Sequence, residues 1–301
     1  MLLVVGSTGM VGSEICRRLV GDGQRVRALV RGTSDPGRVE ALRAAGAEPF
    51  VGDLRMPETL EAACRGVDTV ISTVSAMPHS YVPGINDLRT TDLLGMLELI
   101  AAAGRTGVHR FVYTSFSGSL DTPCPLESAK RTIEARLRGG MLEYTILRPT
   151  CFMETWLGPA VGFDPINATA TIFGPGTRPI SWISATDVAA FAVHAALSAT
   201  ARNSVLELGG PEAISPLEAV AIFERVGGRP FTVRHVPLEV LETQRREATD
   251  PMAESFAALM CSYARGDEIP MEAVLAGFPL PMTSVEAYAA KVYGRVPAHA
   301  A

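Results

Sequence analysis

Lysine is rare in this chain, and one lysine is the residue best suited to catalysis. Of the 27 lysine and arginine residues only two are lysines, Lys130 and Lys291. A buried lysine can give up its proton and arginine cannot, so a position that keeps lysine indicates a need for a titratable amine. We therefore expect Lys130 to orient or protonate a substrate oxygen; the alternative is a surface lysine without a role.

A glycine-rich turn follows the first apolar run of the chain. The run Leu2–Val5 leads directly into three glycines spaced Gly-x-x-Gly-x-x-Gly, after which an amphipathic stretch begins. Glycines allow a tight turn and let a diphosphate approach the free N–H groups at a helix N-terminus. A turn between a strand and a helix predicts dinucleotide binding rather than a role in packing alone. The predicted binding residues of the turn are Gly6, Ser7, Thr8, Gly9, Met10, Val11 and Gly12.

The residues after the second apolar run indicate which dinucleotide binds. Where a protein that binds NAD(H) has an acidic residue for the ribose hydroxyls, this chain has Arg31, with Ser34 and Arg38 as possible helpers. A guanidinium group suits a 2′-phosphate, so NADP(H) is favoured over NAD(H). Further cofactor contacts are expected where the third and fourth runs end, at Asp53, Leu54, Ser72, Thr73 and Val74.

These residues need a scaffold that brings the ends of several strands together. Up to about Pro149, short apolar runs alternate with amphipathic stretches, which predicts an α/β fold with a doubly wound parallel Rossmann sheet. Ligands of such a sheet bind at the carboxyl ends of its strands. The expected strands are Leu2–Val5, Val26–Val30, Glu48–Val51, Thr69–Val74, Arg110–Thr114 and Tyr144–Leu147, and the clearest helices are Leu88–Arg105 and Pro123–Arg138.

The alternation weakens after Thr150. Segment 152–179 is rich in glycine, proline and aromatic residues and resembles a binding loop, and the part after Pro211 is mostly helical with one strand at Thr232–Val236. Between them, strands at Ile180–Ser184 and Val205–Leu208 are expected to flank a helix at Thr186–Ser198. We therefore expect a Rossmann domain of residues 1–151 and 179–209, and a smaller, mostly helical substrate-binding cap of residues 152–178 and 210–301.

Composition narrows the classes of partner and compartment. The net charge of −5 argues against a nucleic-acid or anionic-membrane surface, and no apolar stretch is long enough to span a bilayer. Five scattered cysteines without a Cys-x-x-Cys pair are typical of a reduced, cytoplasmic protein, and no His, Cys or Asp cluster has metal-binding spacing. The expected partner is a small-molecule substrate, and the chain is expected to be a monomer or a homodimer.

Six segments in order resemble the atypical short-chain dehydrogenase/reductases, in particular the NmrA-like group. They are Gly6–Gly12, Ala28–Arg31, Gly52–Leu54, Val108–Ser115, Tyr144–Glu154 and Ile180–Val188. The group contains benzylic-ether and isoflavone-type reductases, quinone and dye reductases, and non-catalytic sensors of NADP(H). The resemblance therefore implies fold and cofactor more directly than activity.

The resemblance also assigns roles to individual residues. Lys130 matches the active-site lysine, which contacts the nicotinamide ribose or activates a substrate oxygen, and Pro149 and Phe152 fall where the group places residues against the nicotinamide. Short-chain dehydrogenases commonly carry a proton-donating tyrosine four residues before that lysine, where this chain has Leu126. Either Lys130 manages the proton, or the protein binds its cofactor without turnover.

A second catalytic candidate and a substrate pocket complete the predicted site. Ser115, at the end of the fifth run, is expected to bond a substrate carbonyl or the nicotinamide, whereas Tyr113 is expected in the core. His79 is a spare proton carrier in the loop after the fourth run, the alternative being an exposed histidine. The residues expected to wall an apolar pocket, with a core role as the alternative, are Met77, Tyr81, Phe116, Met153 and Trp156.

The function that follows is an NADPH-dependent reductase. It would transfer hydride to a small aromatic or conjugated electrophile such as a carbonyl, an enone, a quinone or a benzylic ether. Two alternatives stay open: a non-catalytic NADP(H)-sensing regulatory or binding protein, and an epimerase or lyase that regenerates its cofactor in each cycle.

Overall fold

The computed structural model describes residues 1–77, 80–119 and 121–294. The chain groups into two units, each made of three segments. The first unit consists of Met1–Phe116, Pro125–Arg148 and Val188–Leu206. The second unit consists of Ser117–Cys124, Pro149–Asp187 and the chain from Glu207 onward.

The central sheet has seven strands. They are β1 (Leu2–Val5), β2 (Val26–Val30), β3 (Glu48–Val51), β4 (Thr69–Ser72), β5 (Arg110–Thr114), β6 (Glu143–Pro149) and, after two strands of the second unit, β9 (Ser204–Leu208). Their order is β3-β2-β1-β4-β5-β6-β9, and every pairing from β3 to β6 is parallel. The predicted doubly wound parallel sheet is confirmed.

Helices connect these strands. They are α1 (Met10–Gly21), α2 (Pro36–Ala44), α3 (Pro57–Cys64), α4 (Met96–Arg105) and α5 (Pro125–Arg138), with α7 (Ala185–Leu197) shared between the two units. The helices leave β1, β4 and β5 fully buried. β3 is an edge strand, and its first and last residues are exposed.

A π-helix spans Leu88–Gly95 and runs directly into α4. The sequence had predicted one amphipathic helix over this stretch. The N-terminus of the π-helix is fixed by Asp87, whose carboxylate accepts the Thr90 N–H while the Thr90 hydroxyl accepts the Asp87 N–H. Long π-helical segments are rare and are frequently found at functional sites.

The second unit is built on a small sheet and a group of helices. Its strands are β7 (Phe163–Asp164), β8 (Thr169–Phe173) and β10 (Thr232–Val236), in the order β10-β8-β7. Its helices are α6 (Met153–Trp156), α8 (Pro216–Gly227), α9 (Leu238–Glu247), α10 (Pro251–Arg265), α11 (Glu272–Gly277) and α12 (Val285–Gly294), with short 3₁₀ turns at Pro159–Val161 and, in the first unit, Ala199–Ala201. Within the described residues, no helix has the length and apolar character needed to cross a membrane.

Two expectations about the middle of the chain are corrected. Segment 152–179 is not a loop, because β7 and β8 lie in it and β8 pairs along its whole length with β10. The strand expected at Ile180–Ser184 is reduced to isolated bridges from Ile180 and Ile183.

The boundaries of the units differ from the predicted domains at four places. Residues 117–124, 149–151, 179–187 and 207–209 belong to the second unit. Ile180 and Trp182 have no exposed surface and pack in the core of that unit. Ser117 and Thr122 hydrogen-bond to side chains of the second unit, those of Asp267 and Ser262.

Asp187 ties the start of α7 to the C-terminal part of the second unit. The capping oxygen of α7 belongs to Ser184, which accepts the Asp187 N–H at 3.0 Å. The Asp187 carboxylate accepts the N–H and the hydroxyl of Thr283, at 2.8 and 3.0 Å.

We expect Asp187→Ala to lower the free energy of unfolding by about 1–3 kcal/mol, because the Thr283 N–H then loses its acceptor in a partly buried place. Urea denaturation measures this loss. Asp22→Ala is the control, since Asp22 is exposed and a substitution of this kind changes the free energy by no more than about 0.5 kcal/mol. Equal effects of the two substitutions would contradict the assignment.

Candidate functional site

The glycine turn forms a narrow backbone cradle between β1 and α1. Gly6 has a φ of +84°, and its carbonyl accepts the Gly9 N–H at 3.0 Å. A Cβ atom on Gly12 would collide with the Gly6 carbonyl oxygen, so only glycine fits there. No side chain caps α1 at its N-cap, Gly9, and the amides of its first turn have no intrahelical acceptor. The cradle therefore presents N–H groups to an anion.

The side chains of the turn have separate tasks. The Ser7 hydroxyl is buried and donates to the Leu29 carbonyl at 2.7 Å, so it fastens the turn to β2 and its proton is not free for a phosphate. Met10 is 47% exposed at the start of α1, whereas Val11 is buried. Of the contacts predicted between this turn and a diphosphate, those made by backbone N–H groups fit the geometry best.

One arginine contacts this turn, and a second follows β2. Arg31 follows β2 directly, and the Ser34 hydroxyl accepts its N–H at 3.0 Å, which shapes the chain there. Arg38 extends from α2 and donates to the Thr8 carbonyl at 3.3 Å. Sequence reasoning gave Arg38 only as a helper, but the structure brings its guanidinium group to the glycine turn.

The carboxylate at the end of β3 already has a partner. The guanidinium group of Arg55 donates two hydrogen bonds to the Asp53 carboxylate, of 2.9 and 2.5 Å, and the Arg55 N–H donates a third, of 3.0 Å. These bonds hold the pKa of Asp53 below its ordinary value despite partial burial, and the charge of Arg31 contributes in the same direction. Asp53 is therefore an anion that can accept one further donor. Its neighbour Leu54 is buried.

The last residue of β4 and the two residues after it make different contacts. The Ser72 hydroxyl is buried and donates to the sulfur of Met96 at 3.3 Å. Thr73 lies against Gly6, because a Cβ atom at that glycine would meet the Thr73 hydroxyl oxygen at 2.8 Å. The Val74 carbonyl accepts a hydrogen bond from Lys130. The chain after β4 therefore connects the glycine turn with the candidate catalytic lysine.

Lys130 is buried in the interior of the first unit, with 5% of its surface exposed. Its ammonium group donates to the Val74 carbonyl at 3.0 Å and to the Thr114 carbonyl at 3.4 Å. It also lies 5.1 Å from the centre of the Tyr113 ring. Burial lowers the pKa of Lys130, and the nearby carboxylate of Asp92 partly offsets this effect. A lysine with a lowered pKa is better able to transfer its proton near neutral pH.

Asp92 is the partner that sequence reasoning missed. Its side chain lies on the π-helix with no exposed surface, and its Oδ1 atom is 3.6 Å from the Lys130 nitrogen. Burial raises the pKa of Asp92, while Lys130 and the Ala76 N–H oppose that rise. A signal was present, because Asp92 lies four residues after Leu88 and four before Met96 and so shares their apolar helix face.

Ser115 is held by a second buried carboxylate, that of Glu134. The Ser115 hydroxyl donates to Glu134 Oε1 at 2.7 Å, so its proton is already engaged. This contact favours a supporting role for Ser115 over the predicted bond to a substrate carbonyl or the nicotinamide. Tyr113, two residues before Ser115 on β5, is fully buried as expected, and its hydroxyl has no hydrogen-bond partner among the described residues.

Three arginines surround Glu134. Arg148 donates to both carboxylate oxygens, at 3.0 and 2.5 Å, and Arg131 and Arg138 approach to 2.6 and 2.9 Å. Burial works to raise the pKa of Glu134, but the hydrogen bonds of Arg148 and Ser115 and the charges of Arg131 and Arg148 outweigh it, so the pKa is lowered. No motif in the sequence indicates this cluster.

The predicted pocket residues of the first unit are only partly buried. Met77 and Tyr81 lie in the segment after β4, and Phe116 lies under the guanidinium group of Arg131 at 4.8 Å. His79 lies outside the described residues. Leu126 is buried on α5, one helical turn before Lys130, so no phenol replaces the missing tyrosine at that position.

The remaining candidates belong to the second unit. The Pro149 carbonyl accepts the Ser117 N–H, and Phe152 is partly buried directly before α6. Met153 has no exposed surface, and Trp156, which is 9% exposed, stacks on Tyr263 with ring centres 5.1 Å apart. The packing of Met153 and Trp156 is that of core residues. Among the described residues, no group of three or more His, Cys, Asp or Glu side chains is arranged to hold a metal ion.

The family follows from comparison with known sequences. The sequence profile of the NmrA-like family matches residues 1–288. The chain belongs to the NmrA-like family. The resemblance found in its motifs is therefore confirmed.

Named NmrA-like relatives differ in what they do. This chain is 32% identical over 262 residues to the NAD(P)H azoreductase of Xenophilus azovorans, covering 86% of this chain and 85% of that protein. It is 28% identical over 306 residues to the photosystem II assembly factor Ycf39 of Synechocystis sp., covering 98% of this chain and 91% of that protein.

A solved structure shares the fold of this NmrA-like chain. The NADPH-dependent quinone oxidoreductase QOR2 from Escherichia coli, complexed with NADPH, superimposes with a TM-score of 0.78 at 21% identity, covering 97% of this chain and 100% of that one. At this level of identity the likeness shows the fold alone.

We expect Glu134→Gln to lower the free energy of unfolding at neutral pH by about 3–5 kcal/mol, because three arginines lose their buried counter-charge. The folded-state pKa is lowered, so the stabilisation by Glu134 is complete above the ordinary glutamate pKa of about 4.3 and is lost as the pH falls through the lower folded value.

The difference between wild type and Glu134→Gln should therefore shrink below about pH 4. Urea denaturation across a pH series measures it. Glu61→Gln is the control, because Glu61 forms an exposed pair with Arg105 that is worth about 1 kcal/mol or less. A difference that does not change with pH would count against an ionised Glu134.

Proposed function

We propose that this chain is an NADPH-dependent reductase that transfers hydride to a small aromatic or conjugated electrophile, such as a carbonyl, an enone, a quinone or a benzylic ether. The observation that carries the proposal is the buried Lys130 ammonium at the carboxyl ends of β4 and β5, in the unit that also holds the glycine cradle. Reductase relatives such as the azoreductase support it.

The residues of the first unit fit a nicotinamide dinucleotide. The space that a Cβ atom on Gly12 would fill and the uncapped N-terminus of α1 suit a diphosphate, which accepts backbone N–H groups. Residues 6–12 would hold the diphosphate, Asp53 and Leu54 would lie at the adenine, and residues 72–74 at the riboses. When bound, the reduced cofactor supplies a hydride.

The preference for NADP(H) rests on Arg31, which follows β2, and on Arg38, which contacts the glycine turn. Arg31 and Arg38 provide the planar, multiply donating groups that suit a 2′-phosphate. Asp53 is already paired with Arg55, which leaves the charge of Arg31 available to an added anion.

Lys130 would hold and deliver the proton. Its ammonium is buried, carries a lowered pKa and has no tyrosine one turn before it, so the amine itself is the proton donor that α5 offers. Glu134 would keep Ser115 in place beside it.

We assign substrate contacts in the first unit to Met77, Tyr81 and Phe116, whose side chains are partly exposed. In the second unit we assign nicotinamide contacts to Pro149 and Phe152, whereas Met153 and Trp156 pack in the core. We further propose a small-molecule substrate and a cytoplasmic location.

A second candidate is a regulatory or binding protein that holds NADP(H) without turnover. Leu126 in place of the usual tyrosine favours it, as does the similarity to Ycf39, which is named as an assembly factor. Such a protein would bind oxidised and reduced cofactor with comparable affinity and would not oxidise NADPH with any electrophile.

We expect Arg31→Ala to weaken NADPH binding about ten- to a hundredfold, because a charge-assisted hydrogen bond contributes about 1.5–3 kcal/mol. Binding of NADH should stay unchanged, because NADH has no 2′-phosphate. Isothermal titration calorimetry with both dinucleotides measures this. Arg43→Ala, at the exposed C-terminal end of α2, is the matched control.

If wild-type protein bound neither dinucleotide, the cofactor assignment would be wrong. If Arg31→Ala reduced the affinity for both dinucleotides equally, only the role of Arg31 would be wrong.

We expect Lys130→Met to reduce turnover by at least about a hundredfold, as removal of a general acid does, and to leave the dissociation constant of NADPH largely unchanged. Consumption of NADPH with quinones, enones and aromatic ketones measures turnover. Lys291→Met removes the other lysine, which is exposed on α12, and should have full activity.

Full activity of Lys130→Met would end the proposed mechanism. A wild-type protein that binds NADPH but oxidises it with no electrophile of the panel would instead support the non-catalytic candidate.

A further inference from the structure

Asp92 uses its two carboxylate oxygens in different ways. Oδ2 accepts the Ala76 N–H at 2.8 Å. Oδ1 lies 3.6 Å from the Lys130 nitrogen, and no described residue hydrogen-bonds to it. Neither side chain of the pair has more than 6% of its surface exposed. A buried carboxylate of this kind is stable only beside a cation or in its protonated form.

The contact with Ala76 links Asp92 to a functional part of the chain. Ala76 lies between Val74, whose carbonyl accepts from Lys130, and Met77, a predicted pocket residue. The same segment is fastened a second time, because Asn86 donates to the carbonyl and hydroxyl of Ser80 and accepts the Thr91 hydroxyl of the π-helix. The π-helix therefore holds the segment after β4 at two buried polar residues.

We propose that Asp92 is a positioning residue for Lys130, which its carboxylate holds as an ammonium group at the carboxyl ends of β4 and β5 while the Ala76 N–H ties it to the segment after β4. The proposal rests on the proposed function in one respect, that Lys130 is the reacting amine. It adds a second residue to that site, and it makes the protonation state of the Lys130 amine depend on a residue of the π-helix.

Other groups near the pair do not replace Asp92. On α5 itself, Glu134 also attracts Lys130, but its carboxylate is bound by Arg131, Arg138 and Arg148. Tyr113 on β5 presents its ring, and burial raises the pKa of its phenol, so that it stays neutral. The chain after β4 presents the neutral Val74 carbonyl and the neutral Ser75 hydroxyl, which works to lower the pKa of Asp92. Among the described residues near Lys130, Asp92 is thus the carboxylate that is not already bound by an arginine.

The scarcity of lysine allows a direct test. Protein labelled with ¹³C and ¹⁵N only in lysine gives two side-chain signals by nuclear magnetic resonance, and Lys291→Arg removes one and assigns the other to Lys130. In Asp92→Asn the amide oxygen can still accept the Ala76 N–H, but the negative charge is gone. Because a nearby opposite charge raises the pKa of an amine, we expect Lys130 to titrate about 1–3 pH units lower in Asp92→Asn than in wild type.

The matched control is Glu98→Gln. It removes one carboxylate from the exposed side of α4, six residues after Asp92, and should leave the titration of Lys130 unchanged. If Asp92→Asn also left it unchanged, the proposal would be overturned.

A double variant decides the matter if Asp92→Asn does not fold. Lys130→Met leaves a buried carboxylate without its cation, and Asp92→Asn leaves a buried ammonium without its anion, so each should lower the melting temperature. The variant with both substitutions buries no charge at this place and should melt above either single variant. A double variant that melts below both, or that does not fold although Lys130→Met does, would overturn the pairing.

Both readouts are independent of turnover. Absence of NADPH oxidation with every electrophile would refute the proposed reaction but would leave the titration and the melting temperatures as expected. Unaltered titration in an active enzyme would refute only the role of Asp92.

Discussion

An ammonium group that leaves water must find oxygen atoms inside the protein, and this requirement organises the first unit. Lys130 meets it with the Val74 and Thr114 carbonyls and with Asp92. The two carbonyls come from chain segments at the ends of neighbouring parallel strands, where the regular pairing of the sheet stops. The carboxyl edge, where sheets of this kind bind their ligands, is thus also the place where a buried cation finds acceptors.

Helix α5 carries two buried charged groups into opposite surroundings. Lys130 faces a single carboxylate and two neutral carbonyls, and its pKa is lowered. Glu134, one turn later, faces three arginines and the Ser115 hydroxyl, and its pKa is lowered as well, which for an acid favours the charged form. Glu134 is therefore a fixed anion that positions α5. The lowered pKa of Lys130 instead makes its ammonium group easier to deprotonate.

Much of this arrangement could be predicted from the sequence because it depends on local chemistry. A glycine turn between an apolar run and an amphipathic stretch has few structural solutions, so the cradle and β1 were placed correctly, as was Lys130 on α5. The confirmed parallel sheet follows from the same alternation of apolar runs and helices.

What could not be predicted depends on contacts between distant parts of the chain. Asp92 and its partner Lys130 are 38 positions apart in the sequence. No local pattern indicates that the two side chains meet. The engagement of Ser115 by Glu134 depends on how α5 packs against β5. Met153 and Trp156 are residue types that are common in apolar pockets, and only their tertiary packing shows that they lie in a core.

The π-helix has a consequence for the length of the chain. A π-helix closes its hydrogen bonds over one more residue than an α-helix does, so Leu88–Gly95 contains a residue that a regular helix would not need. Deleting one residue before Asp92 would allow a continuous α-helix but would shorten the chain that leads from the Asp87 cap to Asp92 beside Lys130. This segment therefore tolerates a change of residue type more readily than a change in the number of its residues.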